Sequence, residues 1–130
     1  MSEPTKHEIY FLGDFDLDCG ATLPDARVAY ATYGSLSGGR DNAIVFPTWF
    51  VGTQADLEWL IGDGQPLDTT KYFVIVPSMF ANGLSSSPSN TAAPFDGPRF
   101  PAITIQDNVR AQHRLLTEKF DVKKIQLAIG

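Results

Sequence analysis

Lys124-Ile125-Gln126-Leu127-Ala128-Ile129-Gly130 is the stretch on which the reading of this chain turns. Apolar residues dominate it and a glycine closes it, the pattern of a short strand buried in a parallel sheet. A helix is expected immediately before it. Thr104 has the chemistry of an N-cap with Asp107 three residues on, and Ile105, Val109, Leu116 and Phe120, supported by Leu115, form an apolar stripe. Working back toward the amino terminus, Tyr72-Phe73-Val74-Ile75-Val76 and Ala43-Ile44-Val45-Phe46 are two more continuous apolar runs. Gln54 to Ile61 lies between them, with Leu57, Leu60 and Ile61 at helical spacing. Strand, helix, strand, helix, strand implies a parallel sheet with right-handed crossovers.

The first third of the chain follows a different pattern. Ile9 to Leu12 and Phe15 to Leu17 are short strand-like pieces around Gly13-Asp14, and Cys19 to Asp25 carries turn chemistry. Arg27-Val28-Ala29-Tyr30-Ala31-Thr32-Tyr33 alternates with β-formers. These segments are expected to pair antiparallel and to extend one edge of the parallel sheet. Gly34 to Asn42 is a polar connection, and Ala81 to Pro101 is a long loop rich in Gly, Ser, Asn and Pro.

At 130 residues, 43% of them hydrophobic and 19% charged, the chain is globular in composition and holds at most one domain. A net charge of −5 disfavours polyanionic partners, so neither nucleic acid nor an anionic membrane is expected. No apolar run is long enough to cross a bilayer, and Met1 to Glu8 lacks the apolar stretch of a secretion signal. The one cysteine, Cys19, suits a reducing compartment, and a cytoplasmic location is the expectation. Neither His7 nor His113 forms a metal-ligand spacing with Cys19 or with a carboxylate pair, so no metal site is expected. His113 reads as a surface or boundary residue of the helix.

Two loops are candidates for chemistry because both leave the carboxyl ends of buried strands, where open α/β sheets place ligands. Phe46-Pro47-Thr48-Trp49-Phe50-Val51-Gly52-Thr53 carries three large apolar residues where burial is not guaranteed. Either Trp49 and Phe50 plug the top of the core, or the loop aims backbone N–H groups at a developing oxyanion, each such donor contributing about 3–4 kcal/mol to a transition state. Met79-Phe80-Ala81-Asn82-Gly83-Leu84-Ser85-Ser86-Ser87-Pro88-Ser89-Asn90 follows the next strand. Its polar groups satisfy the loop backbone through Asx and Ser turns, or they line a pocket. No serine there has the surroundings of a nucleophile.

In this order and spacing the pieces resemble the homoserine O-acetyltransferase-like branch of the α/β-hydrolases. The resemblance covers nearly the whole chain from Tyr10. It rests on Leu23 to Gly34, Arg40 to Val45, Leu67 to Ile75 and Phe100 to Gln112. It implies an α/β fold in which residues 1–130 are the N-terminal part of a single α/β-hydrolase domain: antiparallel edge strands, then a parallel sheet with crossover helices. In that family a strand ending in glycine at this place opens the Gly-x-Ser-x-Gly nucleophile elbow. The chain is therefore expected to stop short of its catalytic serine, with the aspartate and histidine farther on and none of the three assignable.

The resemblance places the oxyanion loop on Thr48-Trp49-Phe50-Val51-Gly52, with the N–H of Phe50, or of neighbouring Trp49, facing the oxyanion. Thr48, Trp49, Phe50, Asn82 and Gly83 are the implied substrate-binding residues. The transferases carry a His-Ala-Leu-Thr-Gly type loop where this chain has Thr-Trp-Phe-Val-Gly, and a Gly-Ser-Cys-Tyr-Gly-Ser-Thr-Gly-Pro type segment where it has Asn-Gly-Leu-Ser-Ser-Ser-Pro. The bulkier, more apolar mouth favours a carboxylic ester hydrolase acting on small esters. The alternatives are an O-acetyltransferase for homoserine or another alcohol, with acetyl-CoA as co-substrate, and a non-catalytic fragment that needs a C-terminal half. No cofactor is otherwise implied. The expected partners are a small-molecule ester or acyl donor, that C-terminal half with the catalytic triad, and a second copy of the chain.

Overall fold

The computed structural model describes residues 7–49, 52 and 54–130. Five strands form one sheet in the order β1-β2-β4-β3-β5: β1 Glu8–Asp16, β2 Thr22–Tyr33, β3 Ala43–Val45, β4 Phe73–Pro77 and β5 Ile125–Ala128. β1 and β2 pair antiparallel, β2 pairs antiparallel with β4, and β3 runs parallel to both β4 and β5. The antiparallel pair thus extends one edge of a parallel sheet, as the change of pattern near Gly34 predicts. A 3-10 helix, Gln54–Leu60, stands where the first crossover helix is expected. Helix α1, Ile105–Arg114, continues into a widened π turn over Leu115–Lys119.

β4 explains why the sheet is covered on both sides. All five of its residues are buried. Phe73 and Ile75 pack with Leu23, Val28, Tyr30 and Leu115 on one face. Val74 and Val76 pack with Ile44, Leu57 and Leu67 on the other. Alternation along a single strand therefore feeds two separate cores, which is what a continuous apolar run is for.

Three details differ from the sequence reading. The two strand pieces around Gly13 are one strand whose register slips at Phe11/Gly13 and Gly13/Phe15, which puts both Leu12 and Phe15 inward at odd spacing. The turn read over Cys19 to Asp25 closes earlier, where Leu17 N–H donates to Ala21 C=O (2.9 Å), so β2 begins five residues before Arg27. β5 does join the sheet beside β3, but at its edge and with all four residues exposed rather than buried. An apolar run secures a ladder partner, whereas burial needs a layer on each face.

The largest correction concerns α1. Ile105 is 69% exposed and Val109 57% exposed, although both belong to the expected apolar stripe. The buried face carries Asp107, Asn108, Ala111 and Gln112, then Leu115 and Leu116. Polar docking at the helix start sets this rotation. Thr104 and Asp107 form a reciprocal capping box: Thr104 Oγ1 accepts from Asp107 N–H (3.0 Å), and Asp107 Oδ2 accepts from Thr104 N–H (2.9 Å). The other Asp107 oxygen accepts from Asp18 N–H in the β1–β2 turn (3.0 Å) and from Arg110. Asn108 Oδ1 accepts from Phe80 N–H (2.8 Å) just past β4. These partners lie inside, so the residues that meet them face inward and Ile105 and Val109 face out.

Burial pushes the Asp107 carboxyl up. Donation from the Thr104 and Asp18 amides and from Arg110 outweighs it, leaving Asp107 below its usual range. A group held low in the native state stabilises it above the unfolded carboxyl value of about 4, and that contribution fades as acid protonates the native group. Asp107→Asn should therefore cost about 2–3 kcal/mol at pH 7 in chemical denaturation, with the gap to the parent narrowing toward pH 3. A gap independent of pH would refute the role of the charge. In the same chain, Val109→Lys should change stability by no more than about 0.5 kcal/mol, against about 2–5 kcal/mol for Leu115→Ala.

Candidate active site

The carboxyl ends of β3, β4 and β5 lie together, and both candidate loops leave from them. The loop after β3 does not depart at once. Phe46 N–H donates to Ile75 C=O (2.9 Å) and Thr48 N–H to Pro77 C=O (3.1 Å), so the parallel ladder continues past the last strand residue. Thr48 is buried, and its Oγ1 accepts from Met79 N–H (3.3 Å), tying the two rising segments together. On the other side of β3, Val45 C=O accepts from Ile129 N–H (3.0 Å). Pro47 sits between Phe46 and Thr48 and has no N–H to give.

Trp49 is 51% exposed, so it does not plug the core. Gly52 is buried behind it and its N–H donates to Trp49 C=O (3.0 Å). Phe50, the other residue assigned to the oxyanion loop and to substrate binding, lies outside the described residues, as does Val51.

The second loop spends its polarity on itself and on β2. Asn82 Oδ1 accepts from the N–H groups of Leu84 (3.0 Å) and Ser85 (3.2 Å), an Asx turn, and Gly83 N–H donates to Ser87 Oγ (2.8 Å). Ser85 Oγ accepts from Ala29 N–H and donates to Ser78 C=O, both at 2.9 Å. Ser86 accepts from Arg27 N–H through its Oγ (2.9 Å) and returns its own N–H to Arg27 C=O (3.0 Å). The serines thus act as a surrogate strand where β2 outruns β4. The satisfied-loop reading holds for them, and only the buried Asn82 Nδ2 lacks a hydrogen-bond partner there.

Thr48 and Asn82 are therefore brought to the same rim of the sheet, on adjacent loops, with Trp49 at its surface. Sequence reasoning missed the buried polar residues that hold this rim. Gln54 Nε2 donates to Ser78 Oγ (2.5 Å), and Gln112 Nε2 reaches Met79 Sδ (3.6 Å) from α1. The one local signal was Asn108 and Gln112, four residues apart on a helix, which place two amides on a single face. Beside the rim, Val45, Pro47, Val109, Leu116, Ile129 and Gly130 line an apolar groove of about 380 Å³. His113 borders this groove but is exposed, as expected of a boundary residue. Among the described residues no cluster of His, Cys, Asp and Glu is placed to hold a metal ion, and no helix is long and apolar enough to cross a membrane.

No protein-family profile matches the chain. It is 42% identical to an ethyl acetate hydrolase of Pseudomonas veronii over 124 residues, which cover 95% of this chain and 36% of that protein. An acetylester hydrolase structure from Corynebacterium glutamicum superimposes with a TM-score of 0.91 at 38% identity, over 95% of this chain and 36% of that one. A homoserine O-acetyltransferase of Nitrobacter hamburgensis is 38% identical across 87% of this chain and 33% of its own length. The chain spans about a third of the length of the curated relatives it matches. Sheet order and these likenesses agree: the chain has an α/β-hydrolase fold, matching its amino-terminal portion, and is similar to these esterases and homoserine O-acetyltransferases.

Proposed function

We propose that this chain supplies the scaffold and oxyanion side of a serine-dependent carboxylic ester hydrolase for short acyl esters. In this reading the nucleophile, aspartate and histidine come from a C-terminal half; the chain spans about a third of the length of its relatives. One observation carries the reading: a half-exposed tryptophan on a loop that the β3–β4 ladder holds rigidly as far as Thr48. In a parallel ladder successive residues address opposite neighbours. Phe46 and Thr48 address β4, so alternation turns the N–H of Trp49 toward the β5 side, where a nucleophile following β5 would stand. The amide of Phe50 is the alternative donor. Thr48, Trp49 and Phe50 form the wall, and Asn82 and Gly83 on the adjacent loop complete the substrate site. The exposed β5 and the apolar groove under α1 are where the C-terminal half packs, and the reaction belongs to the cytoplasm.

The competing reading is acetyl transfer from acetyl-CoA to homoserine or another alcohol, which the similarity to homoserine O-acetyltransferases favours. The apolar mouth favours water as acceptor, since a zwitterionic alcohol would need charged partners there.

In a polypeptide of the relatives' length carrying this sequence, p-nitrophenyl acetate should turn over by a serine-dependent route. Adding homoserine together with acetyl-CoA should give slower acetyl transfer than hydrolysis; faster transfer would select the second reading, and no serine-dependent turnover of either kind would reject both. Trp49→Pro removes one backbone N–H, and Trp49→Ala removes the ring but keeps that N–H. The proline variant should lose a further factor of about 10²–10³ in kcat relative to the alanine variant. Equal rates would remove Trp49 as the oxyanion donor.

A further inference from the structure

The turn at the mouth of this site contains a contact that restricts one position to glycine. A Cβ added to Gly52 would lie 2.5 Å from Trp49 Cε2, 2.7 Å from Cδ2 and 2.9 Å from Nε1. The contact runs along the indole from its fused edge to its nitrogen, so the ring rests flat against the glycine backbone. Real Cβ atoms do not approach aromatic atoms that closely, and a rigid bicyclic ring cannot bend out of the way as the end of a lysine could. Any residue other than glycine must therefore displace the whole indole. Gly52 N–H donates to Trp49 C=O (3.0 Å), so both ends of the contact are pinned by one turn. Two residues on, the buried Gln54 is fixed to Ser78 Oγ (2.5 Å), which anchors the chain just past Gly52.

We infer that Gly52 is a positioning residue that sets acyl selectivity: by letting the Trp49 indole lie against the turn, it fixes where the wall of the acyl site stands. This rests on the ester hydrolase reading, in which Trp49 lines the mouth. Gly52 itself touches no reacting atom in this account. Its effect passes entirely through the ring, and that makes the claim separable from a general loss of folding. If the ring is the only messenger, a side chain at position 52 matters only while the ring is present.

The test is a double-mutant cycle in a polypeptide of the relatives' length carrying this sequence. Wild type, Gly52→Ala, Trp49→Ala and the double variant are compared by the ratio of kcat/KM for p-nitrophenyl acetate to that for p-nitrophenyl hexanoate. The ratio cancels the fraction of active protein, so partial misfolding does not move it. Gly52→Ala should change the ratio at least about fivefold in the parent and less than about twofold in the Trp49→Ala background, the non-additivity of directly coupled residues. A similar change in both backgrounds, or none in either, would overturn the proposal. As an independent readout, the protein is labelled with 5-fluorotryptophan and the Trp49 resonance is assigned by its loss in Trp49→Phe. Gly52→Ala should shift that ¹⁹F signal and increase its H₂O/D₂O isotope effect; an unmoved signal refutes the packing. If no ester is turned over at all, the hydrolase reading falls and selectivity with it, while the ¹⁹F result still decides whether Gly52 holds the ring.

Discussion

Strand β4 has little freedom in where its backbone groups go. With both faces buried, each of its N–H and C=O groups must find a partner within the sheet or remain unpaired away from water. β2 answers on one side and β3 on the other, and Phe46 and Thr48 extend the second ladder beyond the point where β3 formally ends. Everything at the rim depends on this. The loop carrying Trp49 is placed by a backbone ladder, which a side-chain substitution in the loop cannot easily move. The proposed oxyanion donor would need such rigidity, since a donor that must reorganise during the reaction forfeits most of its worth.

Around that ladder the rim is held by neutral polar side chains. Ser85 and Ser86 pair with β2 as a strand would, Gln54 reaches Ser78, and Asn108 takes the amide of Phe80. Each bond alone is worth about 1 kcal/mol net, but leaving its buried partner unpaired costs more. Such a network specifies position more than it adds stability. It also explains the long Ser- and Asn-rich loop, whose composition resembles a polar pocket although most of its groups face one another. The charged hub at Asp107 does the same for α1, joining the helix start to the β1–β2 turn through Asp18 and Arg110.

Much of this was legible in advance. The three apolar runs at Ala43, Tyr72 and Lys124 became β3, β4 and β5, the N-cap at Thr104 is a full capping box, and both candidate loops leave the carboxyl ends of parallel strands. The face of α1 was not legible. Ile105 and Val109 looked inward by hydrophobicity, yet the helix turned to satisfy Asp107 and Asn108, whose partners lie far away in sequence. Hydrophobic periodicity weighs apolar residues only, and it does not register the inward hydrogen bonds of Asp107 and Asn108. The contact between Trp49 and Gly52 was equally invisible, because a glycine three residues from a tryptophan reads simply as a turn.

The order and type of the elements were determined by the sequence alone, because they depend on local dihedral preferences and on runs of apolar residues that any fold of this chain must bury. The tertiary structure alone decided which helix face packs, that β5 pairs with β3 rather than with β4, and how the serines after β4 complete β2. Those outcomes turn on hydrogen-bond partners separated by tens of residues, and no window along the chain contains both halves of such a pair.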